Sequence, residues 1–128
     1  MTQVLLPSGD ESIVRNVVVI DDDQNIADVL AAFLASGGFE VKIATSAATG
    51  IRLVRETLPD AVVCDMRMPG GNGDTVIDAL KQQPKTAHIP VLLVTSFCTP
   101  EVLGIADALL LKPVRCNELV STVEHLAA

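Results

Sequence analysis

Six polar side chains close four short apolar runs, and their types suit phosphoryl chemistry. Residues 17–20 (VVVI) run into Asp21, Asp22 and Asp23, and residues 61–64 (AVVC) into Asp65. Residues 91–94 (VLLV) run into Thr95, and residues 108–111 (ALLL within ADALLLKP) into Lys112. Runs of this length read as buried strands. In a parallel α/β sheet all their ends emerge at one carboxyl edge, where such folds place their sites. Carboxylates, a hydroxyl and an ammonium gathered on one rim form a cage for a divalent cation and a phosphoryl group.

A single Asp after a strand would only cap a helix or start a turn. Adjacent acids at the end of a buried strand repel one another unless a cation neutralises them. Mg²⁺ answers that need, because it takes oxygen ligands and is often held by one or two carboxylates plus phosphate. Asp65, opposite the cluster, can act as a nucleophile through its carboxylate and form an acyl phosphate. The cation would screen the repulsion between that carboxylate and an incoming donor. Lys112 follows three leucines and precedes Pro113, so its stem leaves the core and its ammonium runs along the rim. There it would neutralise Asp65 or its phosphate, while the Thr95 hydroxyl donates to a phosphoryl oxygen. A cis peptide at Pro113 would aim Lys112. Each residue alone is a weak signal; the ordered set at successive strand ends is a strong one.

The elements that must position these groups follow from periodicity. Residues 1–16, broken by Pro7, Ser8, Gly9, Asp10 and Glu11, read as a flexible leader, and residues 17–128 as one domain. Ile26, Val29, Leu30, Phe33 and Leu34 recur at helical spacing until Gly37-Gly38 stops them. A strand follows at residues 40–44, then a helix capped by Ser46, carrying Ile51, Leu53, Val54 and Leu58 and closed by Pro59. Val76, Ile77 and Leu80 face inward from a third helix that Pro84 ends, and Pro90 opens the next strand. Leu119, Val120, Val123 and Leu126 make a last amphipathic helix. Five rounds of strand and helix, with strands apolar on both faces, argue for a parallel sheet covered on each side.

Composition removes several function classes. The chain has 128 residues, 16 acidic and 9 basic, for a net charge of −7. That balance leaves no basic stripe for nucleic acid and is repelled by an anionic membrane. No apolar run approaches the roughly 18 residues a membrane span needs, and no secretion signal opens the chain. Cys64, Cys98 and Cys116 are odd in number and widely spaced, matching neither a disulfide framework nor a zinc site. Cys64 reads as a small core residue, and a reducing cytoplasm is the expected setting.

The series VVVIDDD, AVVCDMRMPGGNG, VLLVTS and ADALLLKP resembles the receiver domain of bacterial two-component response regulators. The resemblance covers residues 17–128 and is to the single-domain, chemotaxis-regulator-like kind. It implies a flavodoxin-like, doubly wound five-stranded parallel sheet in the order 2-1-3-4-5, with about five helices. It implies that Asp65 accepts phosphate from a sensor histidine kinase or a histidine phosphotransfer protein. Asp22 and Asp65 would bind Mg²⁺ (or Mn²⁺ in its place), the Arg67 backbone carbonyl would add a ligand, and Asp21 would contact the ion directly or through water. Thr95 and Lys112 would hold the phosphoryl group and report its arrival. Such a chain is no enzyme beyond slow self-dephosphorylation, and a downstream protein target would read its state. The chain reads as a stand-alone receiver or as one excised from a longer regulator; with no effector or DNA-binding domain after the last helix, output is expected through protein contact or onward phosphate transfer.

Two departures stand out. Family members often carry Tyr or Phe three residues before the lysine, where this chain has Leu109. The segment from Thr95 to Lys112 is also short and holds Pro100 and Gly104, so its helix is expected to be short or irregular. Phe97, two residues after Thr95, is placed to lie over the site and slow water attack on phosphorylated Asp65; a Phe tucked under the shortened helix is the plainer alternative. Two other readings stay open, a phosphatase and an inactive receiver, and a flavodoxin is discounted. A haloacid-dehalogenase-like phosphatase would use Asp21 and Asp23 as its DxD, although Asn25 stands where that family expects Thr or Val. A flavodoxin would share the fold, yet the chain has no Trp or Tyr to stack a flavin. A receiver with an inactive site would serve only as a protein-binding module.

Overall fold

The computed structural model describes residues 15–97 and 104–128. Its strands are β1 (Asn16–Ile20), β2 (Glu40–Ala44), β3 (Ala61–Asp65), β4 (Val91–Thr95) and β5 (Ala108–Leu111). Four helices lie among the described residues: α1 (Gln24–Ser36), α2 (Ala47–Thr57), α3 (Gly73–Lys81) and α4 (Cys116–Ala127). All strand pairs are parallel and the sheet order is β2-β1-β3-β4-β5. This is the expected flavodoxin-like arrangement. The expected short helix before β5 falls largely on residues 98–103, outside the described residues, as does most of the expected leader. Asn16 itself belongs to the sheet, since it pairs with Glu40 and its N–H donates to Asp60 Oδ2 at 2.8 Å.

Because successive side chains of a strand point to opposite faces, the apolar strands feed two separate cores. Val18, Ile20, Val62, Cys64 and Leu93 pack with Val54, Val76, Ile77 and Leu80 from α2 and α3. Val17, Val19, Val63, Leu92 and Val94 pack with Ala27, Leu30 and Leu34 of α1 and with Leu119 and Val123 of α4. Each fully buried Val or Leu contributes roughly 1.5–3 kcal/mol, so the strands are fixed from both sides. β5 departs from the expectation of strands covered on both faces. It lies at the sheet edge, its first three residues are half-buried, and Leu111 is 52 % exposed.

Local signals set the helix ends. Asp23 caps α1 by accepting from the N–H groups of Asn25 and Ile26, and Ser46 Oγ accepts from the Thr49 N–H at the start of α2. Such caps stabilise by about 1 kcal/mol. α1 stops at Gly37, as its spacing requires. α2 closes one residue earlier than its apolar pattern suggests, because Leu58 turns into the left-handed region (φ 46°) ahead of Pro59. Val29 of α1 is exposed despite its place in the repeat.

Gly50 lets α2 lie directly on β1. A Cβ there would stand 2.5 Å from Ile20 Cδ1 and 2.8 Å from its Cγ1. Overpacking of this kind costs about 1–3 kcal/mol. Gly50→Val is therefore expected to lower the urea midpoint of unfolding at an unchanged denaturant slope; an unaltered midpoint would show that the α2–β1 contact has slack.

Candidate functional site

The sheet delivers Asp21, Asp65 and Thr95 to one rim. β1 and β3 are neighbours, with β2 on one side and β4 on the other, so the strand order reverses where these acids emerge. A crevice forms at such a switch point. Asp21 follows β1 directly, and its N–H donates to the Ala44 carbonyl at 3.1 Å. Asp65 ends β3 in register with Val94, one residue before Thr95.

One carboxylate oxygen each from Asp21, Asp22 and Asp65 lies within 4.8 Å of the others. Asp21 is almost fully buried, at 1 % exposure, whereas Asp22 opens to solvent. Lys112 reaches the cluster from beyond β5. Its Nζ donates to Asp65 Oδ1 at 3.2 Å and stands 3.7 Å from Asp21 Oδ2. The Lys112 side chain is 23 % exposed, so its stem is covered and its head stays on the rim. The Lys112–Pro113 peptide is cis, as expected.

The remaining bonds build the frame around these groups. Thr95 is buried, and its backbone carbonyl accepts from the Lys112 N–H at 2.8 Å, tying β4 to the lysine. The Met66 N–H donates to the Val94 carbonyl, and the Gly73 N–H to the Met66 carbonyl at 2.8 Å. The loop after Asp65 is held further by Asn72 Oδ1, which accepts from the Met68 N–H at 3.1 Å. Gly73 allows the start of α3 to approach: a Cβ there would sit 2.7 Å from Leu93 Cδ2 and 3.1 Å from the Asp65 carbonyl oxygen.

The structure thus brings Asp21, Asp22, Asp65 and Lys112 together, with Thr95 on the adjoining strand end. Arg67 lies in the loop after β3, where its side chain does something its sequence position did not announce. The guanidinium carbon stands 4.1 Å from the centroid of the Phe97 ring. Phe97 is 40 % exposed, and its N–H points at Thr95 Oγ1 at 3.5 Å. The signal available in the sequence was only a pair of positions, each two residues beyond a rim residue. Cys64 is buried in the core as expected, and burial pushes its thiol well above the ordinary range. Cys98 lies outside the described residues.

The donor set fits a hard divalent cation. Asp21 Oδ2 is buried without a hydrogen-bond partner, a costly state for a carboxylate oxygen. Burial raises the Asp21 pKa above its ordinary value of 3.8, and the charges of Asp65 and Asp22 add to the rise; the Asp23 N–H and Lys112 oppose it. An oxygen-seeking ion among Asp21, Asp22 and Asp65 would satisfy that atom and offset the repulsion.

Fold and site together define a signalling module of the two-component type. Residues 17–124 match the response regulator receiver domain, and the chain belongs to that family. Among curated relatives, the transcriptional regulatory protein PrrA of Mycobacterium leprae is 37% identical over 113 residues, which cover 86% of this chain and 48% of that protein. The chain therefore spans about half the length of the curated relatives it matches. Among solved structures, a candidate response regulator from Chloroflexus aurantiacus superposes with a TM-score of 0.84 at 29% identity, covering 90% of this chain and 98% of that one. A response regulator receiver domain protein from Clostridium thermocellum gives 0.81 at 26% identity, covering 89% and 94%. No helix among the described residues is long and apolar enough to cross a membrane.

The raised Asp21 pKa has a definite sign for stability. The folded chain holds this proton more tightly than the unfolded one, so the ionised group weighs against folding above its folded pKa. That penalty is relieved as pH falls toward 3.8. In divalent-free buffer, Asp21→Asn is expected to unfold at higher urea than the unsubstituted chain at pH 7, with the gap closing as pH is lowered. A pH-independent gap would mean that Asp21 is not held as a strained carboxylate.

Proposed function

We propose that this receiver takes a phosphoryl group on Asp65 in a Mg²⁺-dependent reaction with a phosphohistidine of a sensor histidine kinase or phosphotransfer protein. The observation that carries the reading is the meeting of three carboxylates within 4.8 Å with the Lys112 ammonium at 3.2 Å from Asp65. An Asp65 carboxylate oxygen attacks phosphorus in line; the new P–O bond forms as the P–N bond breaks, and the imidazole leaves with the electron pair. Little covalent work falls to the protein, so positioning and charge neutralisation dominate.

Asp21, Asp22 and Asp65 hold the cation, with the Arg67 carbonyl as a further ligand, and Mn²⁺ can replace Mg²⁺. When bound, the ion supplies positive charge to the oxygens of the transferring group. Lys112 already spans Asp65 and Asp21, so its ammonium is placed to pass from carboxylate to phosphoryl oxygen without leaving the rim. The Thr95 hydroxyl donates to the same group. Two conformations then differ in free energy according to whether Asp65 is esterified, and a protein target reads the shift. Residues 17–128 suffice for this chemistry in the cytoplasm, with no nucleic-acid contact of their own. The relative PrrA, about twice this length, is named a transcriptional regulatory protein.

The phosphatase reading gains no support from the family match, and the inactive-receiver reading is separated by experiment. Acetyl phosphate with Mg²⁺ is expected to label the chain stoichiometrically, with loss of all labelling in Asp65→Asn or on chelation. Repeated turnover of a phosphate ester would favour a phosphatase, and an unlabelled chain an inactive receiver. Lys112→Ala is expected to slow labelling by roughly a hundredfold to a thousandfold, the range seen on removing one preorganised donor. If Phe97 shields the acyl phosphate from water, Phe97→Ala shortens the lifetime of the labelled species; an unchanged lifetime removes that role.

A further inference from the structure

We propose that Arg67 and Phe97 form a phosphoryl-operated latch. The guanidinium rests on the ring while Asp65 is free, and passes to the phosphoryl group once Asp65 is esterified, releasing the ring. The inference rests on the phosphoacceptor reading of Asp65 and deepens it.

Placement comes first. Arg67 stands two residues past Asp65, in the loop that leaves β3, yet its guanidinium carbon lies 4.1 Å from the centroid of a ring carried past the end of β4. That ring belongs to Phe97, whose N–H is directed at Thr95 Oγ1. The stack therefore bridges the two loops that flank the space between Asp65 and Thr95, where the phosphoryl group is to sit.

Competition comes second. A guanidinium is permanently charged and carries five donors, none of which a ring face satisfies by a hydrogen bond to oxygen. An exposed cation–π contact is among the weaker interactions available to Arg. A phosphoryl group adds close to two negative charges and three strong acceptor oxygens, which Arg binds in a charge-assisted, often bidentate way. Of the two partners the phosphoryl group is much the stronger, and it arrives within a few residues of the Arg67 backbone. The stack is therefore stable enough to define the resting state and weak enough to yield.

Leu109, three residues before Lys112, is half-buried against the core that contains Val91 and Leu93, and it offers no ring to swing inward. Phe97 is already 40 % exposed with the guanidinium over one face. Removal of that cover presents a bare aromatic face beside Thr95, a change in surface that a partner can detect.

The absence of Trp and Tyr from the chain makes the test direct. Phe97→Trp introduces the chain's one strong fluorophore at the latch, and an indole still stacks under a cation. The full chain is titrated with beryllofluoride and Mg²⁺, and bound fluoride is followed by ¹⁹F NMR. The expected result is an emission shift that tracks the bound ¹⁹F signal. Adding Arg67→Gln is expected to shift the resting emission and, compared at equal occupancy by the bound ¹⁹F signal, to reduce the beryllofluoride-induced change to less than about a third. A bound signal with no emission change, or an equal change with and without Arg67, overturns the latch but leaves Asp65 as acceptor. A missing bound signal in the unsubstituted chain removes the acceptor reading and the latch with it. The ring-proton shifts of Phe97 in the unsubstituted chain, with and without beryllofluoride, provide the same comparison with no substitution at all.

Discussion

Mutual repulsion among Asp21, Asp22 and Asp65 is the constraint from which the rest of this structure follows. Three carboxylates do not gather within 4.8 Å unless something forces them together. Here the force is the burial of β1 and β3, whose side chains fill a core on each face of the sheet. The hydrophobic term is spread over many residues, whereas the repulsion is local. The sheet can therefore hold an unfavourable charge cluster at its edge. Lys112 relieves part of it by pairing with two of the three acids, although Asp21 Oδ2, 3.7 Å from its Nζ, still lacks a hydrogen bond.

The supports around the cluster have the same logic. Backbone bonds from Met66 to Val94, from Lys112 to Thr95 and from Gly73 to Met66 connect the strand ends to one another. The backbone that carries Thr95 and Lys112, and the loop just after Asp65, are thereby tied together by main-chain bonds. Small residues make the approach possible where helices meet strands, at Gly50 over Ile20 and at Gly73 against Leu93. A site held this way is preorganised, which suits a reaction in which the protein mainly orients and neutralises.

Much of this was legible in the sequence because the signals were redundant. Continuous apolar runs, two-sided burial and the residue type at each run's end all indicate a parallel sheet with its chemistry at the carboxyl edge, and Asp21, Asp22, Asp65 and Lys112 meet there. Caps at Asp23 and Ser46 were readable for the same reason: the residue type and the start of the repeat coincide. The edge position of β5 was not readable from ALLL, since burial of a strand on both faces and partial exposure at an edge share one apolar pattern. Val29 shows the same limit in a helix, where period alone does not say which member of the repeat lies at the margin. The Arg67–Phe97 stack was hidden for a different reason. It joins two loops, and loop side chains have no period from which a direction can be inferred.

The half-covered edge strand has a consequence of its own. Lys112 is bonded through its backbone to Thr95 and directly follows Leu111, which lies largely open to water. The outermost ribbon of the sheet therefore carries, on consecutive residues, an apolar side chain facing water and a charge committed to the acidic rim.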